Sequence, residues 1–283
     1  MRIDRVTTDI FVCISEQYLQ VTSTVLFTDE GAIVVDAPPF PGEAEAVRAF
    51  VEKQLGPGRV RYVINTHHHP DHTYGTYVFE GAEVVSHDRC RQILERIGRA
   101  RLERAQQKTP VLTPVRLCLP SITFDDQMDI HVGHRHLRLF HTPGHTSDGV
   151  SVFVAGDRVL IAGDVVMPVP YLVEGDLDQY RTSLRALRAT RPSFVVQGHG
   201  DVLLRGEVPE AISSSIAYID AVVERVQEIV GSGAPPSLLA EIGIEECGKS
   251  RIPLDGMVSR LHRENLVAVY KRLLAQRQQS VAS

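Results

Sequence analysis

The chain has 283 residues, of which 43% are hydrophobic, and it carries a formal net charge of -5 with a pI near 6.2. This length fits one large α/β domain with a smaller appendage, and the acidic balance argues against a nucleic-acid-binding surface. No apolar stretch reaches the roughly 18 residues that a membrane span needs, and the amino terminus lacks an apolar signal core. We therefore expect a soluble cytoplasmic protein without a nucleic-acid or membrane partner.

The opening of the chain alternates strands with one helix. β-rich apolar runs occupy residues 8–14, 22–28 and 32–36, with a hairpin turn at Asp29-Glu30-Gly31 between the last two. Helical spacing from Glu43 to Leu55 ends at Gly56-Pro57-Gly58, and a further strand is predicted at 61–65.

Directly after that strand the chain reads Thr66-His67-His68-His69-Pro70-Asp71-His72. His67 and His69 point the same way in an extended chain, and Pro70 keeps His69 extended. His67 and His69 are thus placed to bind one metal ion. Asp71 and His72 point in different directions and are able to reach a second metal ion beside it. An exposed, tag-like histidine run is the alternative reading of this segment. His68 is expected to face away from the cluster.

The middle of the chain contains a predicted insertion and a second set of strands. A strand is predicted at 83–86 and a charged helix at 88–107. A stretch with several prolines follows, and we interpret residues of about 88–120 as an insertion near the predicted site. Strands return over 121–163, with a hairpin turn at Gly133, and Asp178 is predicted to cap the next helix.

Three further strand ends carry a side chain able to bind metal. His145, Asp164 and His199 each follow an apolar run. Because α/β proteins build their sites at the carboxyl ends of strands, these side chains and the histidine loop are expected to converge on one cleft. Histidine nitrogen and carboxylate oxygen without thiolate suit zinc, and also iron or manganese.

The four cysteines, Cys13, Cys90, Cys118 and Cys247, are far apart and show no CxxC spacing. Reduced, idle thiols are expected, as is usual in the cytosol. A catalytic cysteine is disfavoured, because no partner motif surrounds any of the four.

Two helices are predicted in the last part of the chain, over 209–230 and 255–276, separated by the breaker Gly231-Ser232-Gly233-Ala234-Pro235-Pro236. Each carries one apolar stripe. Three uses remain open for this tail: padding of the main domain, a wall of the substrate site, or the surface of a homodimer.

The metal-ligand series resembles that of the metallo-β-lactamase superfamily over roughly residues 5–205. The resemblance implies a four-layer αββα sandwich over residues 1–206 and a helical C-terminal extension, 207–283, packed on it. It also implies two divalent metal ions. One would lie on His67, His69 and His145, the other on Asp71, His72 and His199, with Asp164 bridging them. Asp36, which ends the third apolar run, matches the family's aspartate beneath the histidine loop.

The expected reaction is hydrolysis by a hydroxide that bridges two ions, most readily zinc, while Asp71 both ligates and orients this nucleophile. Within the superfamily the chain looks most like the stand-alone glyoxalase II-like hydrolases, including the quinoprotein relay type. The apolar loop Met167-Pro168-Val169-Pro170-Tyr171-Leu172 favours a small, partly hydrophobic thioester, ester, lactone or amide over a polyanion.

Other activities remain as alternatives. The first is a mononuclear iron dioxygenase or another redox member of the superfamily, since the ligand types overlap. The second is weak β-lactamase or lactonase activity. True metallo-β-lactamases lack the bridging carboxylate found here at Asp164, and lactonases typically have a tyrosine where this chain has Met167. A nuclease or a non-enzymatic metal-binding protein is disfavoured by the acidic charge.

Overall fold

The first half of the chain forms a mixed seven-stranded sheet. A computed structural model describes residues 1–282 of the chain and the side chains of residues 1–279. The strands, in spatial and chain order, are β1 (Arg2–Arg5), β2 (Ile10–Ile14), β3 (Thr22–Thr28), β4 (Gly31–Val35), β5 (Val60–Ile64), β6 (Glu83–His87) and β7 (Ile122–Phe124). Neighbours from β1 to β4 are antiparallel, and those from β4 to β7 are parallel. The predicted opening meander and the strand before the histidine loop are therefore confirmed.

The connections between these strands carry the helices. They are α1 (Pro41–Leu55), the single turn α2 (Pro70–Thr73), α3 (Asp88–Ile93) and α4 (Arg99–Lys108). A π-helical turn, Leu94–Gly98, joins α3 to α4. The predicted charged helix at 88–107 thus exists, with a widened turn in its middle.

A second, six-stranded sheet follows. Its strands are β8 (Gln127–Val132), β9 (Arg135–His141), β10 (Val150–Val154), β11 (Val159–Ile161), β12 (Phe194–Val196) and β13 (Leu203–Leu204), ordered β13-β12-β11-β10-β9-β8 in space. Gly133 makes the predicted hairpin turn between β8 and β9 with φ +53°, a backbone conformation that glycine adopts without strain. Helix α5 (Leu177–Ala189) crosses between the parallel strands β11 and β12.

The predicted cap of α5 was wrong by two positions. Asp176, not Asp178, is the cap: its Oδ1 accepts hydrogen bonds from the backbone N–H groups of Asp178 and Gln179 at 3.0 and 2.8 Å. Asp178 lies in the first turn, where its negative charge interacts favourably with the positive end of the helix dipole.

Apolar side chains fill three separate layers. Leu26 and Ile33 of the first sheet face Leu139 and Val152 of the second. The opposite face of the first sheet packs on α1, and the opposite face of the second packs on α5. Because successive side chains of a strand point to opposite faces, a strand covered on both sides is apolar throughout, as the fully buried β4 is. The order helix, sheet, sheet, helix confirms the predicted αββα sandwich.

Two long helices complete the outer layer over the second sheet. Helix α6 (Val208–Ser232) buries Ile212, Ile219 and Val222 in the same apolar cluster as α5, and α7 (Val258–Ala282) buries Val258 and Val269 there. Helical turns at Pro236–Glu241, Glu245–Cys247 and Leu254–Gly256 connect them. Across residues 1–282, no helix combines the length and apolar character needed to cross a membrane. All four cysteines are free thiols, and three of them are buried.

Substitution of Leu184 by alanine tests the helical layer over the second sheet. Leu184 lies on α5 and has no exposed surface, so the substitution removes apolar contacts and leaves a cavity. The free energy of unfolding should fall by about 2–5 kcal/mol. Val267→Ala, at a side chain that is 43% exposed, should change it by less than about 0.5 kcal/mol. Urea unfolding followed by circular dichroism measures both, and equal effects would contradict the proposed layering.

Candidate metal centre

All of the predicted ligands meet at one edge of the sandwich. The histidine loop follows β5 of the first sheet, and the other ligands follow β9, β11 and β12 of the second. Two backbone hydrogen bonds join the sheets there, from Val150 N to Thr66 O at 2.7 Å and from Thr22 N to Gly198 O at 2.9 Å. Gly198 is required at this point, because a Cβ on it would collide with the Asp164 carboxylate.

The ligand atoms form two groups. In the first, those of His67, His69, His145 and Asp164 all lie within 4.8 Å of one another. His145 Nε2 is 3.1 Å from His69 Nδ1 and 3.4 Å from Asp164 Oδ2. In the second group, those of Asp71, His72 and His199 also lie within 4.8 Å of one another.

Asp164 lies between the two groups. Its Oδ1 is 3.2 Å from His72 Nε2, and its Oδ2 is 3.5 Å from His199 Nε2 and 3.8 Å from His67 Nε2. One carboxylate therefore faces histidines of both groups, the position that the resemblance implies for a ligand shared by two ions.

Asp36 orients the outer ring nitrogens of two histidines, that of His72 directly and that of His67 through Thr66. Its Oδ2 is 2.8 Å from His72 Nδ1 and accepts the Thr66 hydroxyl at 2.7 Å, while its Oδ1 accepts the Thr66 backbone N–H at 2.7 Å. The Thr66 hydroxyl oxygen is in turn 3.0 Å from His67 Nδ1. Since these oxygens accept, each Nδ1 carries a proton and each Nε2 is directed into the cluster.

Backbone carbonyls orient two more imidazoles. His145 Nδ1 donates to Tyr171 O at 3.2 Å, and His199 Nδ1 donates to Leu19 O at 2.9 Å. His69 is turned the other way: Nδ1 faces the cluster, and Nε2 lies 3.6 Å from Glu174 Oε2. Every histidine of the two groups thus directs one ring nitrogen toward the cluster.

The inward atoms fit a cation. His67 Nε2, His72 Nε2 and Asp164 Oδ1 are buried and have no hydrogen-bond partner among the described residues, a costly arrangement unless something binds them. Ligands at about 2.0–2.2 Å from a tetrahedral zinc lie about 3.3 Å apart, close to the observed 3.1–3.8 Å separations within the first group. Nitrogen and oxygen donors of this kind also suit iron or manganese.

Burial and mutual charge give the ligands opposite pKa shifts. Burial lowers the pKa of His67 well below its usual range and that of His145 to about 4. Burial acts in the same direction on His199, but the carboxylates of Asp164 and Asp71 outweigh it and raise its pKa to about 10. Without an ion, protons on the histidines beside the carboxylates balance the buried negative charge, so that metal uptake releases protons.

A cavity of about 890 Å³ opens beside Asp71, Asp164 and His199. Apolar side chains form most of its wall. They include Phe40 after β4, Ala105 and Leu112 of the insertion, and Leu254, Met257 and Leu261 of the C-terminal extension. Met167 and Tyr171 of the predicted apolar loop also line it. Residues of the segment 88–120 thus line the cavity, and the tail both packs on the second sheet and forms part of the cavity wall.

Two acidic residues near the ligands were not predicted from the sequence. Asp148 accepts hydrogen bonds from His68 N and Nδ1 at 2.8 and 2.9 Å, which turns His68 away from the cluster as predicted. Glu174 lies against His68 and His69. Asp148 follows His145 by three residues, a spacing that offered a signal; Glu174 stands in a loop without any motif.

Comparison with known proteins decides the family. Residues 17–199 match the family model described as the metallo-β-lactamase superfamily. The chain belongs to that superfamily. It is 32% identical to a β-lactamase-like protein 2 homolog of Caenorhabditis elegans over 106 residues, 38% of this chain and 34% of that protein. It is 25% identical to a hydroxyacylglutathione hydrolase of Acidiphilium cryptum, over 79% of this chain and 86% of that protein.

The fold is shared with solved structures. A metallo-β-lactamase from Pontibacter korlensis superposes with a TM-score of 0.62 at 18% identity, covering 75% of this chain and 97% of that one. These comparisons confirm the superfamily predicted from the sequence. They also confirm the enzyme class, a hydrolase of the metallo-β-lactamase superfamily.

Substitution of Asp36 by asparagine tests the outer hydrogen bonds. Asp36 has φ +60°, a conformation that asparagine also tolerates, so the backbone should keep its shape. The amide has one acceptor oxygen in place of two, and one of the groups that now donate to Asp36 would face another donor. Zinc affinity should fall about 10- to 100-fold, measured by competition with a chromophoric chelator.

The matched control is Asp129→Asn, on a surface hairpin where the carboxylate pairs with His136 and Arg138. It should bind zinc as the unchanged protein does. Wild-type affinity in Asp36→Asn would show that this carboxylate does not orient the ligands.

Proposed function

We propose that this enzyme is a dinuclear metal-dependent hydrolase whose substrate is a small acyl compound with an apolar acyl group, first of all a thioester. The observation that carries the proposal is the pair of ligand groups joined by Asp164 at the floor of an apolar cavity. Esters, lactones and amides are the related substrates to compare.

One ion would be held by His67, His69 and His145, the other by Asp71, His72 and His199, with Asp164 shared. Two divalent ions, most readily zinc, would supply Lewis acidity toward a carbonyl oxygen and a bridging hydroxide at neutral pH. The orphaned inward atoms of His67, His72 and Asp164 support this assignment. The three further donors of the second group favour two ions over the single iron of a dioxygenase.

Asp71 is the proposed catalytic residue. Its carboxylate lines the cavity and lies 3.4 Å from His199 Nε2. Without an ion, the charges of His72 and His199 outweigh burial and lower the pKa of Asp71 to about 2; bound cations would likewise favour its carboxylate form. It can orient the attacking hydroxide by accepting its proton in a hydrogen bond.

The cavity supports a leaving group that departs without a proton. Burial raises the pKa of the Tyr18 hydroxyl to about 12 and also raises that of Tyr171, whose hydroxyl already donates to Glu264 at 2.7 Å. Burial also raises the pKa of Tyr74, which lines the same cavity, so none of these three tyrosines is a ready general acid. A thiolate leaves unprotonated because the pKa of a thiol is about 8.5, whereas an amine needs an acid. The relative named hydroxyacylglutathione hydrolase points in the same direction, since an acylglutathione is a thioester.

The setting of the enzyme belongs to the same proposal. Four free thiols support a reducing compartment and thus the cytoplasm. The substrate is a small molecule, because the cavity has the volume of an ordinary ligand site. A homodimer stays a prediction.

Metal removal and substitution of Asp164 test the two-ion assignment. Chelation should abolish thioester hydrolysis, and zinc should restore it with about two ions per chain. Asp164→Ala should keep the fold, lose metal, and lower turnover by at least the roughly 100-fold that outer partners of a metal site cost. Elemental analysis, circular dichroism and thioester assays measure these effects.

Asp178→Ala, at a side chain that is 94% exposed, is the control and should retain metal and turnover. If elemental analysis finds one iron per chain and the protein consumes oxygen, the enzyme is a dioxygenase and the hydrolase proposal is wrong. Full activity of Asp164→Ala with unchanged metal would remove that residue from the site.

Acyl-chain length tests the apolar wall. In the unchanged protein, kcat/KM for acyl-cysteamine thioesters should rise from acetyl to octanoyl. Met257→Ala removes part of the wall and should lower the octanoyl-to-acetyl ratio about 10-fold, since each lost methylene contact costs about 1 kcal/mol. Val267→Ala, on the exposed side of α7, should leave the ratio unchanged. An unchanged ratio in Met257→Ala would place the acyl group elsewhere.

A further inference from the structure

We propose that Asn265, on helix α7 of the C-terminal extension, is a positioning residue for the metal centre. It acts through the peptide group between Tyr171 and Leu172, which carries the carbonyl that orients His145. The inference rests on the proposed two-metal function and adds to it a residue outside the sandwich that determines the geometry of one ligand.

The contacts of Asn265 are unusually complete. The residue has no exposed surface. Its Oδ1 accepts the backbone N–H of Leu172 at 2.7 Å, and its Nδ2 donates to the backbone oxygen of Pro170 at 2.7 Å. These two backbone groups flank Tyr171, so that one side-chain amide holds the loop on both sides of a single residue.

One planar peptide group links Asn265 to His145. The Tyr171 carbonyl and the Leu172 N–H belong to the same rigid unit and point in opposite directions in its trans form. Asn265 binds the N–H end, and His145 Nδ1 donates to the carbonyl end at 3.2 Å. A rotation of this plane would therefore break both hydrogen bonds together. Pro170, just before it, restricts the backbone further.

Asn265 is itself held in one orientation by a buried network. Nδ2 also donates to Tyr218 Oη at 2.9 Å, and that hydroxyl is 2.9 Å from His262 Nδ1. His262 Nε2 donates to the Ile242 carbonyl at 3.1 Å, so its Nδ1 accepts the Tyr218 proton. The direction of every bond follows, and the amide cannot flip without leaving a donor against a donor.

The effect should be confined to one of the two ions. His145 belongs to the first ligand group, whereas the outer nitrogens of the second group are held by Asp36 and the Leu19 carbonyl. Neither of those partners contacts Asn265 in the described hydrogen bonds. Loss of the amide should loosen His145 and leave His72 and His199 in place.

The test compares Asn265→Leu with Tyr218→Phe. Leucine is close to asparagine in size but leaves the Leu172 N–H and the Pro170 carbonyl without partners. Tyr218→Phe removes a hydroxyl from the same network without touching the loop, and it is the matched control. Zinc titration against a chelator, and Co²⁺ titration followed by its visible spectrum, resolve the affinities of the two ions.

In Asn265→Leu we expect the Kd of one ion to rise about 10-fold, with the other ion and the circular dichroism spectrum unchanged. Tyr218→Phe should bind both ions within about 2-fold of wild type, well below the cost of losing a metal-site partner. The inference is overturned if Asn265→Leu binds both ions normally, if it weakens both equally, or if Tyr218→Phe has the same effect.

Two further measurements separate this inference from the proposed function. In the metal-free protein, ¹⁵N shifts should show His145 as the Nδ1–H tautomer in wild type and as a mixture of tautomers in Asn265→Leu. This readout needs no metal, so a wild type that binds fewer than two ions would contradict the two-metal proposal alone. If the leucine variant does not fold, Asn265→Ser takes its place. Rapid hydrogen exchange of the Leu172 amide in folded wild type would also overturn the inference.

Discussion

The site depends on hydrogen bonds made by the outer nitrogens of its histidines. Asp36, the Thr66 hydroxyl and two backbone carbonyls accept from the Nδ1 atoms of His67, His72, His145 and His199. Each ring is thereby held in one orientation with its second nitrogen directed inward, and the inward nitrogens of His67 and His72 have no hydrogen-bond partner among the described residues. The buried inward atoms are stable only when a cation or protons bind them. The folded site therefore favours the binding of positive charge even before an ion arrives.

The sandwich and the segments attached to it contribute different parts of the candidate site. Strand ends of the two sheets bring the ligands together, and inter-sheet backbone hydrogen bonds at Val150 and Thr22 hold the two halves in register beside them. The insertion and the C-terminal helices contribute the apolar wall of the cavity. The ligand-bearing loops thus follow strands of the sheets, whereas much of the wall lies on the attached segments.

The C-terminal extension also reaches the ligands indirectly. Its Asn265 binds the loop that carries the Tyr171 carbonyl, and its Glu264 accepts the Tyr171 hydroxyl. The loop between β11 and α5 is therefore held between His145 on one side and helix α7 on the other. This arrangement explains why a buried polar network persists in an otherwise apolar helical layer, where each unpaired group would be costly.

The sequence by itself determined the family, most of the strand-and-helix order and the candidate ligands, because these depend on local patterns. His67, His69, Asp71 and His72 stand in one short segment after an apolar run, and His145, Asp164 and His199 each follow a strand. The cap of α5 was misplaced because Asp176 and Asp178 are equally good caps by residue type, and only the helix start distinguishes them.

Tertiary structure alone decided the partners that are distant in the chain. Glu174 beside His69, the use of the tail as a cavity wall, and the amide of Asn265 on the Tyr171–Leu172 peptide depend on which surfaces meet after folding. No local pattern records such a meeting, since a hydrogen bond between residues 93 positions apart leaves no periodicity in either segment.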